Sequence, residues 1–156
     1  MMILINKIRI PYSIVEKTLE FFKEYGKHDL EACAIWVGEE HHDIFEIKEV
    51  WFPKQENTMI SYHIPDIDVH NINVKLNKNK YSAIAQLHTH PGDAFHSSVD
   101  DEYTILSLPG SFSIVIPDYG DIPICAIDDW VVYRLLNGEW TLQTKNKVRR
   151  LFQIIK

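Results

Sequence analysis

The chain has 156 residues, 46% apolar and 24% charged, amounts that suit a single globular domain spanning 1–156 with a full core. Its formal charge of −6, without any long basic run, argues against nucleic acid as a partner, because phosphate binding needs clustered Lys and Arg. No stretch approaches the ~20 apolar residues of a membrane span, and Lys7 and Arg9 interrupt the apolar start where a signal peptide would be continuous, so a cytoplasmic protein with no membrane partner is expected.

In chain order, residues 3–10 alternate as an opening strand. Pro11 then begins a helix in which Tyr12, Val15, Leu19 and Phe22 recur at helical spacing, and Gly26 stops it. Glu31 to Val37 reads as a buried strand ending at Gly38, and Ile44 to Phe52 as a second strand closed by Pro53. Met59 to Ile64 is a candidate third. Asp66 to Asn79 fits neither period cleanly and is assigned to a helix; residues 54–80 as a whole are the least readable part and a candidate substrate-facing insertion. Tyr81 to His88 is a strand and Ser98 to Leu108 a short helix. Phe112 to Ile116, Ile122 to Ile127 and Val131 to Leu136 are strands separated by turn residues, and Val148, Leu151, Phe152 and Ile155 mark a closing amphipathic helix. The sum is an α+β fold, a mixed sheet with helices packed on it.

Two cysteines, Cys33 and Cys125, lie in apolar runs with no Cys-x-x-Cys pair, which supports neither a redox motif nor a thiolate zinc site. The tryptophans Trp36, Trp51, Trp130 and Trp140 fall in or beside strands, as core residues do. His41, His42, His63 and His70 have no metal-like spacing.

Chemistry is concentrated in residues 88–100, His-Thr-His-Pro-Gly-Asp-Ala-Phe-His-Ser-Ser-Val-Asp. Histidines two apart at the end of a strand project from one face and can grip one metal ion. A carboxylate follows after a turn, where a helix starts. Two imidazoles and one carboxylate leave the fourth tetrahedral position of Zn²⁺ open for water, as catalytic sites require.

The run His88-Thr-His90-Pro91 followed by Ser97-Ser98-Val99-Asp100 resembles the signature of the JAMM (MPN-plus) zinc isopeptidases, His-x-His-Pro, a loop, then Ser-x-x-Asp. Upstream, Glu31-Ala-Cys-Ala-Ile-Trp-Val-Gly38 resembles the family's glutamate strand, with Ala34 in place of a glycine. The order of elements matches over most of the chain, as in a prokaryotic-type single-domain member. The interval from His90 to Asp100 is one residue shorter than the family norm, so two registers are open. The first, favoured because Ala-Phe-x-Ser-Ser-Val-Asp matches some members almost letter for letter, pairs Asp100 with Ser97; the second pairs Asp101 with Ser98. His96, where members often carry proline or an apolar residue, reads as an exposed loop histidine.

The resemblance implies a cytidine-deaminase-like architecture and one Zn²⁺ per chain on His88, His90 and Asp100. It implies Glu31 as general base, moving a proton from water to the leaving amine. Ser97 would donate to the oxyanion, a contact typically worth ~2.7–4 kcal/mol of barrier. The bland alternatives are an exposed glutamate at a strand end and a capping box at Ser97–Asp100. The implied activity is hydrolysis of a peptide or isopeptide bond, with a ubiquitin-like protein or peptide as substrate, cleaved at the C-terminal tail. A metallohydrolase of small-molecule amides and a metal-free MPN-type binding or scaffold protein are the alternatives.

Overall fold

A computed structural model of the chain describes residues 2–57, 62–94 and 105–156. Ten strands, three α-helices and short 3₁₀ turns are described. The strands are β1 (Lys7–Pro11), β2 (Cys33–His41), β3 (Ile44–Trp51), β4 (Glu56–Asn57), β5 (Tyr62–His63), β6 (Ser82–Thr89), β7 (Phe112–Ile116), β8 (Val131–Leu136), β9 (Glu139–Leu142) and β10 (Phe152–Ile155). The helices are α1 (Tyr12–Gly26), α2 (Asp66–Asn79) and α3 (Lys145–Leu151). Eight strands form one mixed sheet in the order β10-β1-β3-β2-β6-β7-β8-β9, and β4 pairs with β5 separately. The expected α+β class is what the structure shows. No described helix is long and apolar enough to cross a membrane.

The apolar run of β2 has no inside–outside alternation because both faces of the strand are covered. Ala34 and Trp36 join a large core with Ile8, Ile10, Phe45, Leu87, Phe112 and Ile114, closed by Val15, Leu19 and Phe22 of α1 and Val148 and Leu151 of α3. Ile35 and Val37 face the other way, onto Ile72 of α2 with Trp51 and Ala83. Each fully buried aliphatic or aromatic side chain contributes about 1.5–3 kcal/mol through its removal from water, so the two central strands are held from both sides. Thr18 links α1 to β2: its hydroxyl donates to the Ile14 carbonyl at 2.7 Å and accepts from the buried Trp36 indole at 3.0 Å. Trp36, Trp51 and Trp130 are buried as expected, and Trp140 is half-buried.

The expected Asp66–Asn79 helix forms, although only Ile72 of α2 is fully buried. Elsewhere the chain departs from its pattern. The opening strand is shorter, because Met2–Leu4 coil into a 3₁₀ turn whose carbonyls at Met2 and Ile3, with that of Ile5, accept from the Arg134 guanidinium. β2 does not stop at Gly38. It runs on to His41 through a bulge at Val37/Gly38, where a Cβ on Gly38 would overlap the Glu46 carbonyl. Ile122 to Ile127 is not a strand: Pro123 offers no amide hydrogen for a ladder, and Ala126 and Ile127 bond back to Pro123 and Cys125 as turns. Its isoleucines pack against the core without pairing.

Residues 105–108 of the expected Ser98–Leu108 helix are not helical, since the Gln86 carboxamide takes the Ile105 and Leu106 amides; residues 98–104 lie outside the described residues. So do residues 59–61 of the Met59–Ile64 candidate, of which Tyr62–His63 forms β5. The closing helix ends at Leu151, and Phe152 onward turns into β10, parallel to β1 with Ile8 opposite Phe152. β9, unanticipated, is the second arm of a hairpin whose turn residues Asn137 and Gly138 both have positive φ (52° and 78°), the geometry Asn-Gly supplies. Gly38→Ala is expected to cost about 1–3 kcal/mol in urea unfolding, since backbone and not a flexible side chain meets the new methyl group.

Candidate metal centre

The site forms where β6 leaves the sheet and β2 begins. β6 lies between β2 and β7, with His88 opposite Cys33 on one side and Val115 on the other. Past the strand's end the backbone stays in register, the His90 amide donating to the Ile116 carbonyl at 3.0 Å. The imidazoles of His88 and His90 are buried, with ring centroids 5.2 Å apart and planes at 53°. Glu31, two residues before β2, is only 4% exposed, which removes the reading of a solvated strand-end glutamate. Its carboxylate oxygen Oε1 lies 3.9 Å from His90 Nε2.

Three polar side chains fix this geometry. Thr89, between the two histidines, accepts the Ala32 amide on its hydroxyl at 3.0 Å, and its own amide donates to the Ala32 carbonyl at 3.1 Å. On the outer side β3 has ended at Trp51, and the Gln55 carboxamide takes its place: Oε1 accepts from the Cys33 amide at 2.7 Å and Nε2 donates to the Cys33 carbonyl at 3.0 Å. Asn57 Nδ2 donates to the Glu31 carbonyl at 2.7 Å.

Below His90, Asp118 and Tyr119 both adopt left-handed backbone (φ 54°), and the Tyr119 amide donates to the His90 carbonyl at 2.9 Å. Burial raises the pKa of the Tyr119 phenol, and the negative charges of Asp29 and Glu31 add to the shift, so its hydroxyl stays protonated at neutral pH. Gly26, at the end of α1, leaves room for this turn, since a Cβ there would fall 2.5 Å from that of Tyr119.

Sequence and structure comparisons fit this arrangement. The chain is 30% identical over 123 residues to a probable metalloprotease of Sinorhizobium fredii, covering 76% of each chain. Among solved structures, a JAB1/MPN domain protein of Archaeoglobus fulgidus superposes with a TM-score of 0.51 at 16% identity, over 90% of this chain and 94% of that one. The chain belongs to the JAMM/MPN family. A probable ubiquitin thioesterase of Dictyostelium discoideum is 29% identical over 97 residues, 62% of this chain and 13% of that protein. The solution structure of a Desulfitobacterium hafniense protein shares the fold, with a TM-score of 0.67 at 12% identity over 96% of this chain and 93% of that one. No family model matches.

Of the residues expected to form the JAMM/MPN site, His88, His90 and Glu31 come together. Asp100 and Ser97, their alternatives Asp101 and Ser98, and His96 lie outside the described residues. Among the described residues no three His, Cys, Asp or Glu side chains make up a metal-binding group. The donors that are described are of a kind zinc accepts: two buried imidazoles, one on β6 and one just past its end, above a hydrogen-bonded backbone. His41, His42, His63 and His70 are exposed. Cys33 is buried and Cys125 exposed, neither in a disulfide.

The sequence reading missed Gln55, Asn57, Thr89 and Tyr119. Thr89 occupies the unspecified middle of His-x-His, and Gln55 and Asn57 act on backbone atoms, which leave no side-chain pattern. Replacing Thr89 by valine removes the acceptor of the Ala32 amide and should cost about 1–3 kcal/mol in urea unfolding, while Thr89→Ser, which keeps the hydroxyl, should lose less.

Proposed function

We propose that the chain is a zinc-dependent hydrolase of peptide or isopeptide bonds, working as one catalytic unit over 1–156 and cutting at the C-terminal tail of a ubiquitin-like protein. The observation that carries the reading is the buried Glu31 carboxylate 3.9 Å from Nε2 of His90, with the His88 ring 5.2 Å from that of His90. Membership of the JAMM/MPN family supports it, as do relatives named as a probable metalloprotease and a probable ubiquitin thioesterase.

His88, His90 and Asp100 would hold the metal, with Asp101 the alternative third ligand. Bound there, zinc supplies Lewis acidity for a carbonyl and lowers the pKa of water to about 7. Glu31 takes a proton from the attacking water and passes it to the leaving amine, whose departure needs protonation. The position of Glu31 favours this role, because its carboxylate is held inside the site beside His90 and not in bulk solvent. Ser97, or Ser98 in the other register, donates its hydroxyl to the oxyanion as the carbonyl becomes tetrahedral. No covalent intermediate is involved.

Elemental analysis of the purified protein is expected to give one zinc per chain, lost in His88→Ala and retained in Glu31→Gln. In a panel of ubiquitin-like C-terminal fusions, Glu31→Gln should cut at least about 100-fold more slowly than the parent, the range removal of a general base commands. Absence of zinc after reconstitution would sink the reading and bring the metal-free scaffold forward. Zinc without cleavage of any fusion, beside hydrolysis of a small amide, would redirect it to small-molecule substrates.

A further inference from the structure

We infer that Gln55 and Asn57 are positioning residues for Glu31, acting on the backbone that carries it; the inference rests on the catalytic role proposed above for that glutamate. The argument starts from the sheet's edge. β3 pairs with β2 only as far as Trp51 opposite Ile35, so among the described residues no strand pairs with the outward backbone groups of residues 31–33. A carboxamide carries the donor and acceptor of a peptide group. Gln55 uses both on Cys33, and Asn57 uses its donor on Glu31.

The two side chains are themselves locked. Gln55 Nε2 also donates to the Pro53 carbonyl at 2.8 Å, and Asn57 Nδ2 reaches Gln55 Oε1 at 2.9 Å. From the inner side Thr89 ties Ala32. The three residues before and at the start of β2 are therefore bonded alternately outward, inward and outward, as a central strand is, though one of the two neighbours is built from side chains.

A glutamate just beyond a strand would otherwise move with a fraying end. Here the Glu31 carbonyl is fixed, which narrows the positions its carboxylate can take beside His90. General-base catalysis is sensitive to such placement, because the proton is transferred only within hydrogen-bond reach. Neither Gln55 nor Asn57 touches an imidazole in any described contact. Their loss should thus lower turnover without releasing metal.

The test uses the zinc-loaded full chain with Asn57→Ala, Asn57→Asp and Gln55→Leu. The probe is ubiquitin carrying a C-terminal amidocoumarin. The expected result is one zinc per chain throughout, an unchanged KM and a kcat about 10-fold to 100-fold lower. Asn57→Asp, equal in size but without the donor, should fall as far as Asn57→Ala. Combined with Glu31→Gln, these changes should produce no further loss, since residues acting through one group are non-additive. Full additivity with Glu31→Gln, loss of zinc, or rescue by Asn57→Asp would overturn the inference.

Amide exchange of residues 31–33, followed by mass spectrometry, needs no substrate. Exchange accelerated there and unchanged in α1 supports the clamp; unchanged exchange at 31–33 overturns it. A parent protein that binds no zinc and cuts nothing would remove the proposed function, while the exchange result still decides whether Gln55 and Asn57 hold this backbone.

Discussion

The structure depends on one short junction, the reciprocal pair of bonds between Ala32 and Thr89. The Ala32 amide meets the threonine hydroxyl and the Thr89 amide meets the Ala32 carbonyl. This joins the start of one central strand to the end of its neighbour. The three candidate residues that are described lie within one position of it: Glu31 before Ala32, and His88 and His90 on either side of Thr89. A one-residue slip between β2 and β6 would carry the histidines to the opposite face of the sheet. The chain guards against that slip by burying both faces of β2 with different side chains, Trp36 toward α1 and Ile35 toward α2.

The polar groups of the site are therefore set in an apolar frame. Inside such a frame a hydrogen bond is electrostatically stronger, and an unmade one costs more, than at the surface. Around the site the backbone ends are finished by side chains: Thr89 toward Ala32, Gln55 toward Cys33, Asn57 toward Glu31. Below His90, the turn at Asp118 and Tyr119 keeps two non-glycine residues in left-handed backbone, each at a cost of order 1–3 kcal/mol that the surrounding contacts must offset. The strain is spent where His90 is held.

Much of this was legible in the sequence, and the illegible parts share a cause. The His-x-His pair and the apolar run of β2 were readable from their side chains, though the strand begins at Cys33 and not at Glu31. α2 was readable only by elimination, since its exposed face carries most of its residues and one isoleucine does most of the burying. Ile122 to Ile127 misled because alternation reports burial, and burial does not require a ladder. The end of the chain misled in the opposite sense: Val148, Leu151, Phe152 and Ile155 fit a helical face, yet β1 offers an unpaired edge that captures the last of them as a parallel strand. Gln55 and Asn57 were invisible because their work is done on backbone atoms some two dozen residues away. The stretch 54–80, unreadable by period, thus begins with residues whose spacing is set by another segment's peptide groups.

The parallel seam between β1 and β10 has a consequence for how the fold comes apart. β10 is hydrogen-bonded to the sheet through β1 alone, whereas β2 and β6 each have paired neighbours on both sides. Edge strands open at lower free energy than central ones. Phe152 is buried, its ring edge-on to Phe112 and Trp130, so opening at this rim is confined to residues 153–155. β1 and β3 lie between those residues and β2, so their breathing leaves the pairing of Cys33 with His88 intact.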